Sequence, residues 1–448
     1  MPSVSFIGSL LGQLIAILLL VASITYVGYV PAQHDFPLIC LPFCVAFLAY
    51  GYLLIRAERL WIILLTAIGI RVILVFAFPN LSDDIYRFAW DGRLAHQGLS
   101  PYIHLPSELV GNEMDTSLDM YLYDQMNSKN YYTVYPPMSQ YVFIISTWAP
   151  DHDIETISII MKAILLIAEG ICLYIMITLL KLYSIPIKRV AIYALNPLVI
   201  IEIMGNVHFE GIIVMFFLLG WLLIVRQKLV LAAIPLALSV ATKLFPLMLF
   251  PYIISYLGGR KAGLLFTCMS LVLLLLFYPI ITHLNFFWES IDLYFQKFEF
   301  NASIYYALRW LGVQLTGYNQ IAVIGPLLAL ITFSSIMYMS YVYSRVQKER
   351  IMQYWLFSFS LYLILATTVH PWYLIFPIAL CVFTRFRYPV VWSGLILLSY
   401  ISYAYEPFQE NLWIVTFQYL MVFLVIAVEC VGKRNIPHPQ AITSKPSE

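Results

Sequence analysis

Apolar runs long enough to cross a bilayer recur along this chain, and they limit its fold more than any other feature. A hydrocarbon core of about 30 Å needs roughly 20 apolar residues in a helix. Inside it every backbone amide must find a partner within the protein, so repeated runs of this kind predict a helical bundle. The runs fall near 7–30, 36–55, 60–78, 156–181, 188–203, 209–226, 229–242, 245–258, 262–282, 320–343, 352–369, 372–384, 388–405 and 411–431. Those near 188–203, 229–258 and 372–384 are short for a straight crossing and predict tilted, broken or re-entrant helices, which are tolerated where they line a cavity. The apolar piece 138–150 would upset the parity of the loops if it crossed, so it is expected at an interface. The expected fold is an all-α polytopic membrane domain over 1–432, with about 12–14 spans.

Composition agrees: 62% of residues are hydrophobic and 11% charged, against about 25% charged in soluble domains. A net charge of +1 supplies no field for nucleic acid. The cysteines, Cys40, Cys44, Cys172, Cys268, Cys381 and Cys430, all lie in apolar stretches and are expected to be small buried hydrophobes. The first run lacks a preceding basic segment and is followed by more spans, so it is read as a membrane helix rather than a cleaved signal.

Loop charge orients the bundle. Lys and Arg mark cytoplasmic loops, and here they cluster at Arg56/Arg59, Lys181/Lys188/Arg189, Arg226/Lys228, Arg260/Lys261, Arg345/Lys348/Arg350, Arg385/Arg387 and Lys433/Arg434. Acidic residues collect in the alternate loops, from Asp83 to Glu155, at Glu289, Asp292 and Glu299, and at Glu406 and Glu410. Both termini are then cytoplasmic, and two long loops, 79–155 and 283–320, are external. The polar tail 433–448 is expected to be a disordered cytoplasmic segment.

Polar groups concentrate in SDDIYRFAWDGRLAHQGLSPY, residues 82–102. Ser82 can cap a helix that starts at Asp83, and Gly98 and Pro101 can end it. Asp84, Arg87 and Asp91 then share one face, and Tyr86, Trp90 and Arg93 another. Asp83 or Asp84 reads as a general base held at the membrane surface; the bland reading is two carboxylates favoured by the helix dipole, which would also depress their pKa values. Tyr135 in YYTVYPP, with Tyr102 at the loop's exit, can face a sugar ring or belong to an interfacial belt. His208 and Glu210 lie in GNVHFEG between two spans, near Glu202 and Asn206. They can orient a hydroxyl, tune the aspartates or, with Asp83 and Asp84, form a weak divalent metal site.

Lys243, in ATKLFP, stands inside an apolar stretch, where a lysine is expensive and marks a functional site by default. Pro246 would turn it into a cavity, where an ammonium suits a lipid-linked phosphate; the bland alternative is a salt bridge with Glu169 or Glu202. Arg71 and Glu169 read as a structural pair. Asn301 and Arg309 sit among aromatics in the second loop, and Asn301-Ala-Ser303 matches a glycosylation sequon. His370 and Trp372, in TTVHPWYL, close an outer turn.

Taken together and in order, SDDIYRFAWDGRLAHQGLSPY, VYPP, NPLVIIEIMGNVHFEG, ATKLFPLMLFP, FNASIYYAL and VHPWYL resemble the polytopic glycosyltransferases of the GT-C superfamily. The closest likeness is to prokaryotic polyprenyl-phosphate-mannose-dependent mannosyltransferases, with a weaker one to glycosylphosphatidylinositol mannosyltransferase I. The match runs from about Asp83 to Tyr373. The resemblance implies inverting transfer of a hexose, mannose by this likeness, from a polyprenyl-phosphate donor to a glycan or lipid acceptor at an extracytoplasmic site. It places the catalytic carboxylate shortly after a membrane helix in the first long loop, where Asp83 and Asp84 stand. A bacterial inner membrane and a product in the cell-envelope glycans fit that reading.

The chemistry agrees with the residues. A base must take the acceptor hydroxyl's proton, and a cation must meet the departing phosphate. Asp83 or Asp84 supplies the first, and Lys243 with Arg87 or Arg309 the second. Asp91, Trp90, Arg93, Tyr102, Tyr135, His208, Glu210, Asn301, His370 and Trp372 are left as substrate contacts. No cofactor is required by this scheme. The competing readings are a secondary transporter or lipid flippase, which would use similar intramembrane charges, and a ligase or polymerase of lipid-linked glycans.

Overall fold

A computed structural model describes residues 4–111, 120–149, 153–283, 298–345 and 350–432. The tail 433–448 and parts of both long loops, 112–119, 150–152 and 284–297, lie outside the described residues. Regular structure among the described residues is helical, apart from one isolated bridge between Phe300 and Thr368. The chain is an all-α polytopic membrane protein.

Each expected span meets helix. The principal helices are α1 Val4–Tyr29, α2 Phe36–Arg56, α3 Leu60–Leu74, α4 Asp84–His96, α5 Pro137–Ser146, α6 Ile154–Leu182, α7 Glu210–Val225, α8 Leu229–Thr242, α9 Gly259–Leu276, α10 Ile304–Thr316, α11 Ile321–Tyr343, α12 Ile351–Leu365 and α13 Leu412–Val431. Six described helices are long and apolar enough to cross alone, or seven if Pro197–Gly205 and α7, bent by 110°, form one span. Shorter apolar helices, such as α3, α8, Pro371–Cys381 and Tyr388–Ala404, supply the remainder. The expected 12–14 spans thus resolve into full crossings and shorter pieces. The shortening has a local cause. Asn196-Pro197, Phe245-Pro246, His370-Pro371 and Tyr388-Pro389 each place a proline at a helix start, where its missing N–H costs nothing.

The short pieces form the centre. Nearly every residue from Val190 to Gly220 is buried, whereas the long helices expose apolar side chains outward, among them Leu48 at 76%, Leu275 at 78% and Trp413 at 85%. Such a surface suits lipid and not water. Cys172 and Cys381 are buried as expected, but Cys44 and Cys430 lie on outward faces, so their apolar surroundings come from the bilayer. Arg71 of α3 and Glu169 of α6 form the anticipated pair, fully buried at 2.8 Å, and Tyr193 donates to the second carboxylate oxygen at 2.7 Å.

In the first loop, α4 packs on α5. Gly92 permits this approach, because a Cβ there would sit 2.6 Å from the Phe143 carbonyl oxygen. Phe88 stacks on Phe143 at 4.6 Å. The described part of the apolar piece, 138–149, therefore rests on α4 through one side and exposes Tyr141, Ile145 and Trp148 on the other.

In the second loop, Asn301 is a structural knot. Its backbone has φ +47°, its N–H donates to Glu410 at 2.5 Å, and its carbonyl accepts from Tyr419 at 2.7 Å. The side chain is fully buried, so the sequon at Asn301 is closed to modification in the folded protein. Phe300 bonds the backbone of Thr367 and Val369, which sets the position of His370. Glu410 also accepts from Tyr306. Burial raises the Glu410 carboxyl from 4.5 to about 7, the Asn301 N–H opposing and the Glu299 charge adding to the rise. A raised carboxyl pKa favours the folded state while protonated, so this stability is full below about pH 4.5 and is lost as pH climbs through 7. Thermal unfolding measured across that window should show the midpoint falling with pH, and Glu410→Gln should flatten the slope.

Candidate active site

The motif at 82–102 folds much as its residues dictate. Helix α4 begins at Asp84, one residue later than expected, with Asp83 in the capping position; Ser82 Oγ accepts from the Asp84 N–H at 3.4 Å. At the other end Leu99 N–H bonds Leu94 and Gly98 N–H bonds Ala95, with Gly98 at φ +75°. That pattern closes the helix on a left-handed residue which favours glycine.

Within α4 the polar face divides its work. Arg87 and Asp91 bond each other at 2.7 Å, both buried. Arg87 also donates to the carbonyls of Ser128 at 3.0 Å and Tyr131 at 2.8 Å. Gln140 satisfies the other Asp91 oxygen at 2.9 Å. These two residues clamp the loop to the helix, and the guanidinium anticipated at the donor phosphate is spent on that clamp. Trp90 is buried with its ring tilted toward Tyr123 at 6.0 Å. Tyr102 is buried and donates to the Tyr135 carbonyl at 3.0 Å. Arg93 is half-buried farther along the helix.

Asp84 points the other way, toward the break before α7. There the chain makes a π-turn over Ile201–Gly205 and then a tight turn in which Val207 takes φ +62°, a strained conformation for a β-branched residue. Glu202 in the π-turn is fully buried yet well satisfied. It accepts from His208 Nδ1 at 2.9 Å, from Asn206 at 3.0 Å and from Tyr400 at 3.0 Å. This fixes the imidazole so that Nε2 faces Asp84 at 3.7 Å, an ion-pair distance longer than a hydrogen bond. Glu202, His208 and Asp84 thus form a carboxylate–imidazole–carboxylate line running out of the core.

Rings hold this line in place. His208 stacks on Trp372 at 3.8 Å, Trp372 on His370 at 4.4 Å, and His370 on Phe300 at 4.8 Å. Both faces of Trp372 are covered, which leaves only its edge for a sugar. His370 Nδ1 is buried without a partner among the described residues. Tyr135, half-buried, packs edge-on against Phe88 at 5.0 Å.

Lys243 stands where α8 stops. Its backbone is extended, and Pro246 opens the next helical turn. Its Nζ meets Glu210 of α7 at 2.5 Å and lies 4.7 Å from the centre of the Tyr373 ring. The salt bridge weighed for this lysine therefore exists, but with Glu210 instead of Glu169 or Glu202. The lysine is 34% exposed and Glu210 only 2%. The lysine side chain is thus partly open while its counter-ion is buried. Arg309 is engaged in the second loop, bonding Glu299 at 2.7 Å over the Tyr306 ring.

The two aspartates differ electrostatically. Burial alone would raise the Asp84 carboxyl, but His208, His370 and Lys243 outweigh it and hold it below the usual carboxylate range. Asp83 is exposed, and partial desolvation with the neighbouring Asp84 charge pushes it up. Among the described residues no three His, Cys, Asp or Glu side chains are grouped to hold a metal ion; of the four residues considered for one, His208 is turned to Glu202 and Glu210 to Lys243.

The structure therefore gathers Asp84, His208, Glu210, Lys243, His370 and Trp372 into one cluster, and engages Arg87, Asp91, Trp90, Tyr102 and Asn301 in the surrounding framework. Sequence reasoning missed Tyr373 and Tyr400, which carry no signal in an aromatic-rich chain, and named Glu202 as a neighbour of His208 and a candidate partner of Lys243, not as the residue that orients the imidazole.

No curated protein matches the chain. A family model described as alpha-(1->6)-mannopyranosyltransferase, N-terminal domain, matches residues 12–259, more than half of its length and inclusive of Asp84, His208 and Lys243. A buried carboxylate–imidazole line ending at Asp84, a lysine at a helix break and a polytopic helical frame all lie in or border that stretch. The chain belongs to the alpha-(1->6)-mannopyranosyltransferase family and is a membrane glycosyltransferase.

Proposed function

We propose that this protein transfers a mannosyl residue from a polyprenyl-phosphate donor to a glycan or lipid acceptor, with inversion, at the extracytoplasmic face of the membrane. The observation that carries the reading is that Asp84, faced by His208, and Lys243, paired with Glu210, lie within electrostatic reach of each other in one cluster. Inverting transfer needs those two charges on opposite sides of the anomeric carbon.

In this scheme the acceptor hydroxyl approaches C1 from the Asp84 side. Its oxygen bonds C1 while its proton passes to the Asp84 carboxylate, and the C1–O bond to phosphate breaks with its electron pair. Charge on the departing phosphate is met by Lys243, which shares its ammonium between phosphate and Glu210. Tyr373 lines the cation's other side. Asp84 serves although its pKa is low, because the hydroxyl becomes acidic only as the oxocarbenium-like centre captures it; position comes before pKa. The exposed Asp83 keeps the entrance negative. In this scheme His370 Nδ1, without a partner among the described residues, accepts from a sugar hydroxyl.

Sidedness rests on the alternation of basic and acidic loops, which puts the 79–155 loop outside. The purified protein in proteoliposomes should release free polyprenyl phosphate from radiolabelled polyprenyl-phosphate-mannose and form a product of inverted anomeric configuration, read by NMR. Retention of configuration, or solute movement without a glycosidic product, would overturn the proposal.

A further inference from the structure

Among the described residues the buried arginines are paired with carboxylates, Arg71 with Glu169 and Arg87 with Asp91. Lys162 differs. It lies in α6, two turns before Glu169 on the same buried face, and its side chain is wholly enclosed. Among the described residues it forms no ion pair. Its ammonium donates instead to two backbone carbonyls, that of Leu74 at 3.3 Å and that of Ala77. Leu74 ends α3 and its carbonyl also accepts from the Ala77 N–H at 3.2 Å, so the ammonium ties the last residue of the helix to the turn that follows it, at the negative end of the helix dipole.

An apolar side chain would fill the same place without the desolvation of a charge, so the lysine must supply something that packing does not. The short link after Ala77 gives the reason. Only Phe78, Pro79, Asn80, Leu81 and Ser82 separate Ala77 from Asp83. This link is stiff: Pro79 has a fixed φ, Asn80 N–H bonds the Phe78 carbonyl at 2.9 Å, and Leu81 and Ser82 are buried. A displacement at the end of α3 is passed directly to α4. Glu169 holds α3 by a side chain, and Lys162 holds its end by the backbone.

We propose that Lys162 is a positioning residue for the catalytic Asp84, fixing the α3 terminus so that Asp84 meets His208 and the acceptor at the required angle. The proposal rests on the reading of Asp84 as the base. Misplacement by about 1 Å can cost about 100-fold in rate. Full-length Lys162→Met and Lys162→Gln proteins would be compared with the parent for folding, by thermal unfolding, and for transfer from polyprenyl-phosphate-mannose. The expected result is a folded Lys162→Met with kcat down about 100-fold and donor KM within about threefold, and Lys162→Gln between it and the parent. Adding Lys162→Met to Asp84→Asn should cost less than about threefold more, since both act on one step. A readout free of activity is maleimide labelling of Asp83→Cys, whose rate should shift by about tenfold when Lys162 becomes Met. Parent-like kcat and labelling in a folded variant, a loss confined to donor KM, or a failure of both variants to fold would overturn the proposal. Full activity of Asp84→Asn would instead remove the base assignment, and the labelling rates would still decide Lys162.

Discussion

Asp84→Asn should lower kcat by about 10²–10⁴-fold, the range general-base catalysis supplies, while donor KM changes little. The amide keeps the shape of the side chain and removes the proton acceptor. Asp83→Asn should cost less than about tenfold, because Asp83 is exposed and lies outside the Glu202–His208 line. The pH profile adds a second signature. With its pKa held below the usual 3.8, Asp84 stays ionised down to strongly acidic solution. Protonation removes the base only as pH falls through that lowered value, so kcat should show no acid limb from Asp84 between pH 5 and 7. Removing the imidazole that holds Asp84 low, by His208→Gln, should let the carboxyl rise and move the acid limb to higher pH. Steady-state rates across pH for the four proteins measure all of this.

Lys243→Met should be the second large loss, with kcat falling about 10²–10³-fold, as when a preorganised transition-state donor is removed. This variant carries a complication that the structure explains. Glu210 is 2% exposed, and loss of its partner leaves a buried charge that costs about 3–5 kcal/mol. Lys243→Met should therefore also unfold at a lower temperature. The double variant Lys243→Met/Glu210→Gln removes the stranded charge, so it should regain most of the stability and none of the rate. Recovery of both together would assign Lys243 to structure alone, and thermal unfolding beside transfer rates separates the two roles.

How much of this was legible in the sequence depended on range. Helices and their breaks were, because apolar length, Asn196-Pro197, Pro246, Pro371 and Gly98 act within a turn or two of themselves. The convergence of Asp84, His208, Lys243 and His370 was also legible, since a polar residue in an apolar chain stands out at a cost of kcal/mol. Partner choice was not. Arg87 looks equally able to meet a phosphate or a neighbouring carboxylate, and only the packing of residues 128–131 against α4 commits it to Asp91. Lys243 sits 33 residues from Glu210 in sequence, and the bend before α7 decides that pairing. Trp372 announces an aromatic, but its stacking between two histidines needs two distant segments in place. Lys162 stands in an apolar run just as Lys243 does, but its partners are backbone carbonyls that any residue supplies, so the sequence points to none of them.

The central claim is that Asp84 takes the acceptor proton in sugar transfer from a lipid phosphate. Single-turnover transfer tests it most directly, with polyprenyl-phosphate-mannose prebound to parent, Asp83→Asn and Asp84→Asn proteins and the reaction started by acceptor. The expected chemical step is near the parent rate for Asp83→Asn and slowed by at least about 100-fold for Asp84→Asn, with donor binding unchanged. A parent-like single-turnover rate in Asp84→Asn would contradict it.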